Sequence, residues 1–252
     1  MDQWFGKLAV VTGASSGIGE TVCIALLQNG VNVVGLARRV DNMEKMLSQM
    51  KNIKGKFHAI RCDLRKEQDI LDAFKVVESL GGADILVNNA GLGYTEYITE
   101  SPTTHMREIL DVNVLAVAIC TREATKSLRR RKARGHIINV NSVLGHNVRF
   151  VTASSSLYET SKHAITGMSE ALRREMLQLK APIKVTSVSP GVVKTSMPLL
   201  EQVGGEKFLN AVPHVHTKDI ADGILYVLAT APHVEVNELT IAALHMGVIP
   251  GE

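Results

Sequence analysis

The chain has 252 residues, 45% hydrophobic and 21% charged, which supplies enough apolar side chain for a sizeable core and excludes a disordered segment. Its 28 basic and 25 acidic residues leave a formal charge of +3, too small a field to commit the protein to nucleic acid or anionic lipid. Three widely separated cysteines, Cys23, Cys62 and Cys120, sit in apolar periodic segments without a C-x-x-C spacing, so buried free thiols are expected rather than a disulfide framework or a zinc site.

The start, MDQWFGKLAVVTG, carries no basic region ahead of a long apolar run, and no apolar stretch approaches the ~20 residues of a membrane helix. A cytoplasmic protein with no membrane partner is expected. KLAVVT (7 to 12) predicts the first strand, and VVTGASSGIGE carries it through Gly13, Gly17 and Gly19 into a helix over 17 to 29. Glycine there permits a tight turn and close approach of backbone to a pyrophosphate, which the positive end of the helix dipole favours. Packing of strand against helix is the alternative reason for the same glycines. The second strand, VNVVGLA (31 to 37), ends about 20 residues beyond Gly17, where a dinucleotide fold binding NAD places a carboxylate. Here Ala37 is followed by Arg38 and Arg39, whose guanidinium groups suit a 2′-phosphate, so NADP is favoured over a plain pair of solvated arginines.

A helix over 41 to 51 and a third strand, KFHAIRC (56 to 62), lead to RCDL and a helix over 66 to 80. DILVNN (84 to 89) is the fourth strand and runs into NNAG (88 to 91). The long pattern over 104 to 132 contains DVNVLA, whose Asn113 is an odd mid-helix residue that a local kink with a bound water would explain. Its end, SLRRRKARG (127 to 135), reads as cations in a last helical turn followed by a glycine stop, and no nucleic-acid partner is expected from it.

HIINVNS (136 to 142) brings Ser142 to the end of the fifth strand, where a hydroxyl can bond a ligand or simply close a turn. In the following helix, 157 to 180, LYETSKHAI places Tyr158 and Lys162 four apart and so on one face. A neighbouring ammonium favours the phenolate, so Lys162 is expected to lower the pKa of Tyr158. Between Ser142 and Tyr158, TASSSL offers Ser154, Ser155 and Ser156 as rival hydroxyls. KVTSVSP (184 to 190) is the sixth strand and continues into SPGVVKTSM (189 to 197). Residues 195 to 217 show no clear period and carry Pro198, Gly204, Gly205 and Pro213, as a mobile lid or a surface insertion would. His214 and His216, in this stretch, lack a third ligand in view, so no metal is expected. A helix over 217 to 230 and the strand ELTIAA (238 to 243) close the pattern. Near-continuous apolar strands alternating with helices predict one doubly wound α/β domain, a seven-stranded parallel sheet with helices on both faces.

Thr12-Gly13-x-x-x-Gly17-x-Gly19, NNAG, Asn113, Ser142, Tyr158-x-x-x-Lys162 and SPGVV fall in the order and register of the short-chain dehydrogenase/reductase family, which the chain resembles from Lys7 to about residue 245. The resemblance implies a Rossmann fold, NADP as cofactor, and a homo-dimer or homo-tetramer. It assigns Tyr158 as general acid/base and Lys162 to lowering its pKa and binding the nicotinamide ribose. Ser142 orients the carbonyl or hydroxyl, and Asn113 holds a water linked to solvent. For the cofactor it implies Gly13, Ser15, Ser16, Gly17, Ile18 and Gly19 in the turn, with Arg38 and Arg39 beside them. Asp63 and Leu64 fall to the adenine, Asn89, Ala90 and Gly91 to the adenosine side, and Pro190, Gly191, Val193 and Thr195 to the nicotinamide end. CTREA, GHIINVNS, SPGVV and YVLATAPHV are similar to an NADP-dependent group within the family that includes the insect farnesol dehydrogenases. That likeness implies a small apolar alcohol or carbonyl substrate, steroid-like or sesquiterpenoid-like. A protein that binds NADP without turnover would keep the turn and Arg38, whereas the full Asn, Ser, Tyr, Lys set argues for an enzyme.

Overall fold

The computed structural model of the protein describes residues 1–147, 155–195 and 198–246. In chain order its strands are β1 Leu8–Thr12, β2 Asn32–Ala37, β3 Phe57–Arg61, β4 Ile85–Asn88, β5 Gly135–Val140, β6 Ile183–Pro190, β7 Val193–Lys194, β8 Val215–His216 and β9 Glu238–Ile241. The helices are α1 Gly17–Gln28, α2 Val40–Gln49, α3 Glu67–Ser79, α4 Thr103–Leu110, α5 Ala116–Arg131, α6 Tyr158–Gln178, α7 Pro198–Gln202, α8 Gly205–Ala211 and α9 Thr217–Ala229.

Seven strands pair in the order β3-β2-β1-β4-β5-β6-β9, every pairing parallel. A parallel sheet must be covered on both faces, and the alternation along each strand shows how these residues achieve it. Ala9, Val11, Val33, Ile85, Val87, Ile138 and Val188 point to one side, against α1, α2 and α9. Leu8, Val10, Val34, Leu36, Leu86, Ile137 and Val185 point to the other, against α3, α5 and α6. The order reverses direction between β1 and β4, so the carboxyl ends of these strands open a crevice where doubly wound sheets hold their ligands.

Three expectations are revised. The helix read over 104 to 132 is interrupted by a π turn, Asp111–Leu115, whose wider winding absorbs Asn113. The cationic end of α5 stops not at a glycine but at Lys132, which takes the left-handed conformation at φ 51. Gly135 instead opens β5, where a Cβ would stand 2.3 Å from a methyl of Leu128. In the same stretch Arg130 pairs with Glu78 and Arg131 with Asp84, so two of its guanidinium groups brace the fold. The third revision concerns residues 195 to 217. The β7–β8 ladder clips the two ends of this segment together, and α7 and α8 lie within it. His216 caps α9, with Asp219 accepting from the His216 backbone N–H at 2.7 Å. Cys23, Cys62 and Cys120 are free and buried.

His136, buried in β5, bonds Thr186 Oγ1 of β6 through Nε2 at 2.8 Å, while its Nδ1 has no hydrogen-bond partner among the described residues. Burial, with a smaller push from Lys184, drives the imidazole down to about 3. The unfolded chain therefore takes up a proton near pH 6.5 that the folded chain refuses, and stability is lost as pH falls from there towards 3. The slope from this residue reaches about 1.4 kcal/mol per pH unit. Urea midpoints measured across that range should fall more steeply for the native protein than for His136→Gln. Equal slopes would remove the assignment.

Candidate active site

The cofactor-binding residues expected from the sequence gather at the carboxyl edge of the sheet. After β1 the chain turns with Gly13 at φ 68 and Gly17 at φ 61, values that favour glycine. A Cβ on Gly19 would stand 2.4 Å from the Gly13 carbonyl and from Asn89 Nδ2, so this glycine lets α1 pack directly on the turn. Thr12 and Asn89 fasten that turn to the end of β4. Thr12 Oγ1 accepts from the N–H groups of Asn89 and Ala90, each at 3.0 Å, and Asn89 Nδ2 donates to the Thr12 carbonyl at 2.9 Å.

Ser16, the residue before α1, makes no side-chain cap, so the first N–H groups of α1 remain open to an anion at the positive end of its dipole. Ser15 and Ile18 flank this opening, half-buried. Arg39 donates to Ser16 Oγ at 3.2 Å, and Arg38 and Arg39 are both exposed at the end of β2. Beyond β3, Arg65 grips both carboxylate oxygens of Asp63, at 3.0 and 2.7 Å, and holds that carboxyl down at about 2, with Arg38 contributing. Leu64 and Ala90 line a small recess with Thr12 and Val112. These residues fit a dinucleotide: an uncapped helix start for its pyrophosphate, glycines that let backbone approach, and two exposed arginines at the rim.

Gly91 leads to the reacting centre, where an added Cβ would sit 3.6 Å from Asn113 Oδ1 and 3.9 Å from Lys162 Nζ. Thr195 lies over the turn, its methyl 3.5 Å from the Cβ position of Gly17. Pro190 ends β6, Gly191 N–H donates to the Ile241 carbonyl at 2.8 Å, and Val193 is buried in β7.

Ser142, Tyr158 and Lys162 converge beneath this edge and are 8%, 7% and 5% exposed, so none of them works in bulk water. Ser142 Oγ accepts from the Leu144 N–H at 3.1 Å, which caps a short 3-10 turn, and its hydroxyl favours the ionised form of the Tyr158 phenol. The turn reading of Ser142 holds, with its side chain capping the 3-10 turn at the end of β5. The rival hydroxyls are committed elsewhere: Ser155 donates to Glu159 at 2.6 Å and Ser156 to Ser101 at 2.9 Å. Ser154 lies outside the described residues, as do Ser196 and Met197. Lys162 Nζ stands 5.6 Å from the centre of the Tyr158 ring and donates to the Val140 carbonyl at 2.9 Å.

The expected effect of Lys162 on the phenol does not operate in this state. Burial pushes Tyr158 up to about 12, opposed only by the Ser142 hydrogen bond, and burial pulls Lys162 down to about 8. Desolvation disfavours both charged forms and outweighs an ammonium that is turned towards Val140. Asn113 is 2% exposed, and its amide clamps the backbone of Leu92, accepting from its N–H at 2.9 Å and donating to its carbonyl at 2.8 Å. The same Nδ2 donates to Ser161, whose hydroxyl donates to the Tyr158 carbonyl at 2.6 Å. Asn113 thus ties the loop after β4 to the first turn of α6.

Two features escaped sequence reasoning. Gly93 lies on the face of the phenol ring, where a Cβ would be 2.9 Å from Tyr158 Cδ2, and only the glycine-rich run GLG hinted at it. Around Tyr158, Val143, Leu144, Leu199 and Met246 form an apolar cluster drawn from three distant segments. Leu199 comes from α7, which is latched to the loop after β4 by Gln202 accepting from the Thr95 N–H at 2.6 Å.

Residues 7–201 match the family described as short chain dehydrogenase. A farnesol dehydrogenase of Aedes aegypti is 45% identical over 96% of this chain and 97% of its own. The human dehydrogenase/reductase SDR family member 11 is 38% identical, with 95% of each chain covered. Among solved structures, a short-chain type dehydrogenase/reductase from Mycobacterium marinum superposes with a TM-score of 0.85 at 28% identity, covering 95% of each chain. An alcohol dehydrogenase from Thermococcus sibiricus, complexed with 5-hydroxy-NADP, gives 0.78 at 27% identity over 95% of this chain and 97% of that one. With the sheet order and nearly the whole length in common with such proteins, the chain belongs to the short-chain dehydrogenase/reductase family of oxidoreductases, which bind a nicotinamide cofactor.

Proposed function

We propose that the protein interconverts an apolar secondary or allylic alcohol, of sesquiterpenoid or steroid kind, with its aldehyde or ketone, using NADP(H). The observation that carries this reading is the buried phenol of Tyr158, hydrogen-bonded by Ser142 and walled by Val143, Leu144, Leu199 and Met246. Such a cleft desolvates an apolar skeleton while offering its oxygen two hydroxyl groups. The farnesol dehydrogenase relative points to the same substrate class.

The bound nicotinamide supplies the hydride for reduction or accepts it in oxidation. Tyr158 donates its proton to the carbonyl oxygen in reduction and takes the alcohol proton in oxidation. Ser142 holds that oxygen by a second hydrogen bond. Lys162 places its charge at the nicotinamide ribose and, within reach of the phenol ring, supports the tyrosinate that reduction leaves. Asn113 keeps the loop after β4 against α6, and a water held at Asn113 returns the proton from solvent. Gly13, Ser15, Ser16, Gly17, Ile18 and Gly19 cradle the pyrophosphate, while Arg38 and Arg39 take the 2′-phosphate. Asp63 and Leu64 serve the adenine, Asn89 and Ala90 the adenosine side, and Pro190, Gly191, Val193 and Thr195 the nicotinamide end. The segment near 195–217 acts as the substrate lid, with Leu199 as the side chain that closes on the skeleton.

Removing the proton donor by Tyr158→Phe should lower kcat for farnesol oxidation by on the order of 10²- to 10⁴-fold while leaving the Kd for NADPH within a few-fold. Retained turnover would exclude the phenol as acid/base. Arg38→Asp sets a carboxylate against the 2′-phosphate and should raise KM for NADPH by on the order of tenfold to a hundredfold, with KM for NADH unchanged or lower. An equal rise for both cofactors would deny Arg38 that role.

A further inference from the structure

A concavity lies at the opposite edge of the sheet from Tyr158. It encloses about 400 Å³ between the residues preceding β1, β5 and β6 and the loop that follows α9. That volume falls in the range of small-molecule pockets, yet none of the catalytic or cofactor-binding residues lines it. Its apolar wall includes Trp4, Ile183 and Pro232. Trp4 sends its indole N–H into the protein, to the Leu228 carbonyl at 2.7 Å, so its hydrogen-bonding need is met without the cavity.

The polar side of the cavity is unbalanced. Lys7, Arg134 and Lys184 line it against the single carboxylate of Glu235. Glu235 Oε1 is already taken by the Val185 N–H at 2.7 Å. Lys184 Nζ donates only to neutral oxygens, among them the Ala231 carbonyl at 2.7 Å and Thr230 Oγ1 at 3.1 Å. Lys7 and Arg134 have no carboxylate at ion-pair distance among the described residues. His233, the remaining ionisable lining residue, adds no negative charge. A concave surface with apolar walls and a surplus of cations attracts a ligand that is apolar at one end and anionic at the other.

We infer that this cavity is a second ligand site, which binds an amphipathic anion: a carboxylate carried on a compact apolar skeleton. The carboxylate meets Arg134 and Lys7, and the skeleton lies against Trp4 and Ile183. Because the site stands at the amino ends of strands whose carboxyl ends hold the catalytic residues, its occupant is neither substrate nor cofactor. The inference is independent of the proposed reaction.

Trp4 is the one tryptophan of the chain, so its fluorescence reports on this cavity alone. Decanoate, titrated below its micellar range, should change that emission saturably and bind by calorimetry, with decanol at least tenfold weaker. The double variant Lys7→Gln, Arg134→Gln should weaken decanoate at least tenfold while keeping the native circular dichroism and turnover. Native decanoate binding in that variant would overturn the charge assignment. Equal binding of decanol would reduce the site to an apolar crevice, and inorganic phosphate binding as tightly as decanoate would reduce it to a cation cluster. Absence of saturable binding by calorimetry would end the proposal, and Tyr158→Phe should bind decanoate as the native protein does.

Discussion

Desolvation of the Tyr158 hydroxyl, at the carboxyl edge of a parallel sheet, is the constraint on which the site depends. A phenol in water ionises near 10, and burial raises that of Tyr158 to about 12, on the order of 3 kcal/mol against its charged form. The protein therefore holds a neutral phenol across the neutral range and surrounds it with groups that are mostly shielded from bulk water. The Leu144 N–H fixes the oxygen of Ser142, the neighbour of this phenol. Lys162 is buried beside it at an energetic disadvantage of its own, which a negative partner relieves. The pair is poised for a state in which charge arrives, rather than ionised in advance.

Two stitches keep this edge in shape. Thr12 and Asn89 join the glycine turn to β4, and Asn113 joins the loop after β4 to the first turn of α6 through Leu92, Ser161 and the Tyr158 carbonyl. The glycine turn and Tyr158 thus share one loop, residues 89 to 93, as their common support. Gly93 lies on that loop because a side chain there would meet the phenol ring.

The parallel sheet was legible because its strands are apolar on both faces, and each crossover helix carries its own period. The glycine turn, Ser142, Tyr158 and Lys162 stood out in the sequence through the order and register in which they resemble the family's motifs. The break at Asp111–Leu115 was only half visible: an asparagine in a helix announces strain, but the sequence cannot say that the winding widens there. The helix stop at Lys132 was hidden because a lysine seldom takes positive φ, and the nearby glycine was needed instead for contact with Leu128. The order within residues 195 to 217 was invisible because it rests on two-residue strands and a latch from Gln202 to Thr95, contacts with no period. Nor could spacing reveal that burial would outweigh Lys162 at the phenol, since desolvation depends on Val143, Leu144, Leu199 and Met246 arriving from afar.

The most direct test is a spectrophotometric titration of tyrosinate in the native protein, with Tyr158→Phe as the reference that isolates one phenol. Without cofactor the difference signal should rise only near pH 12, beyond the ordinary tyrosine. Addition of NADP in its oxidised form, which brings positive charge beside the ring, should move the same signal down by more than two pH units, and Lys162→Met should blunt that movement. A Tyr158 that titrates near 10 and ignores the cofactor would contradict the account.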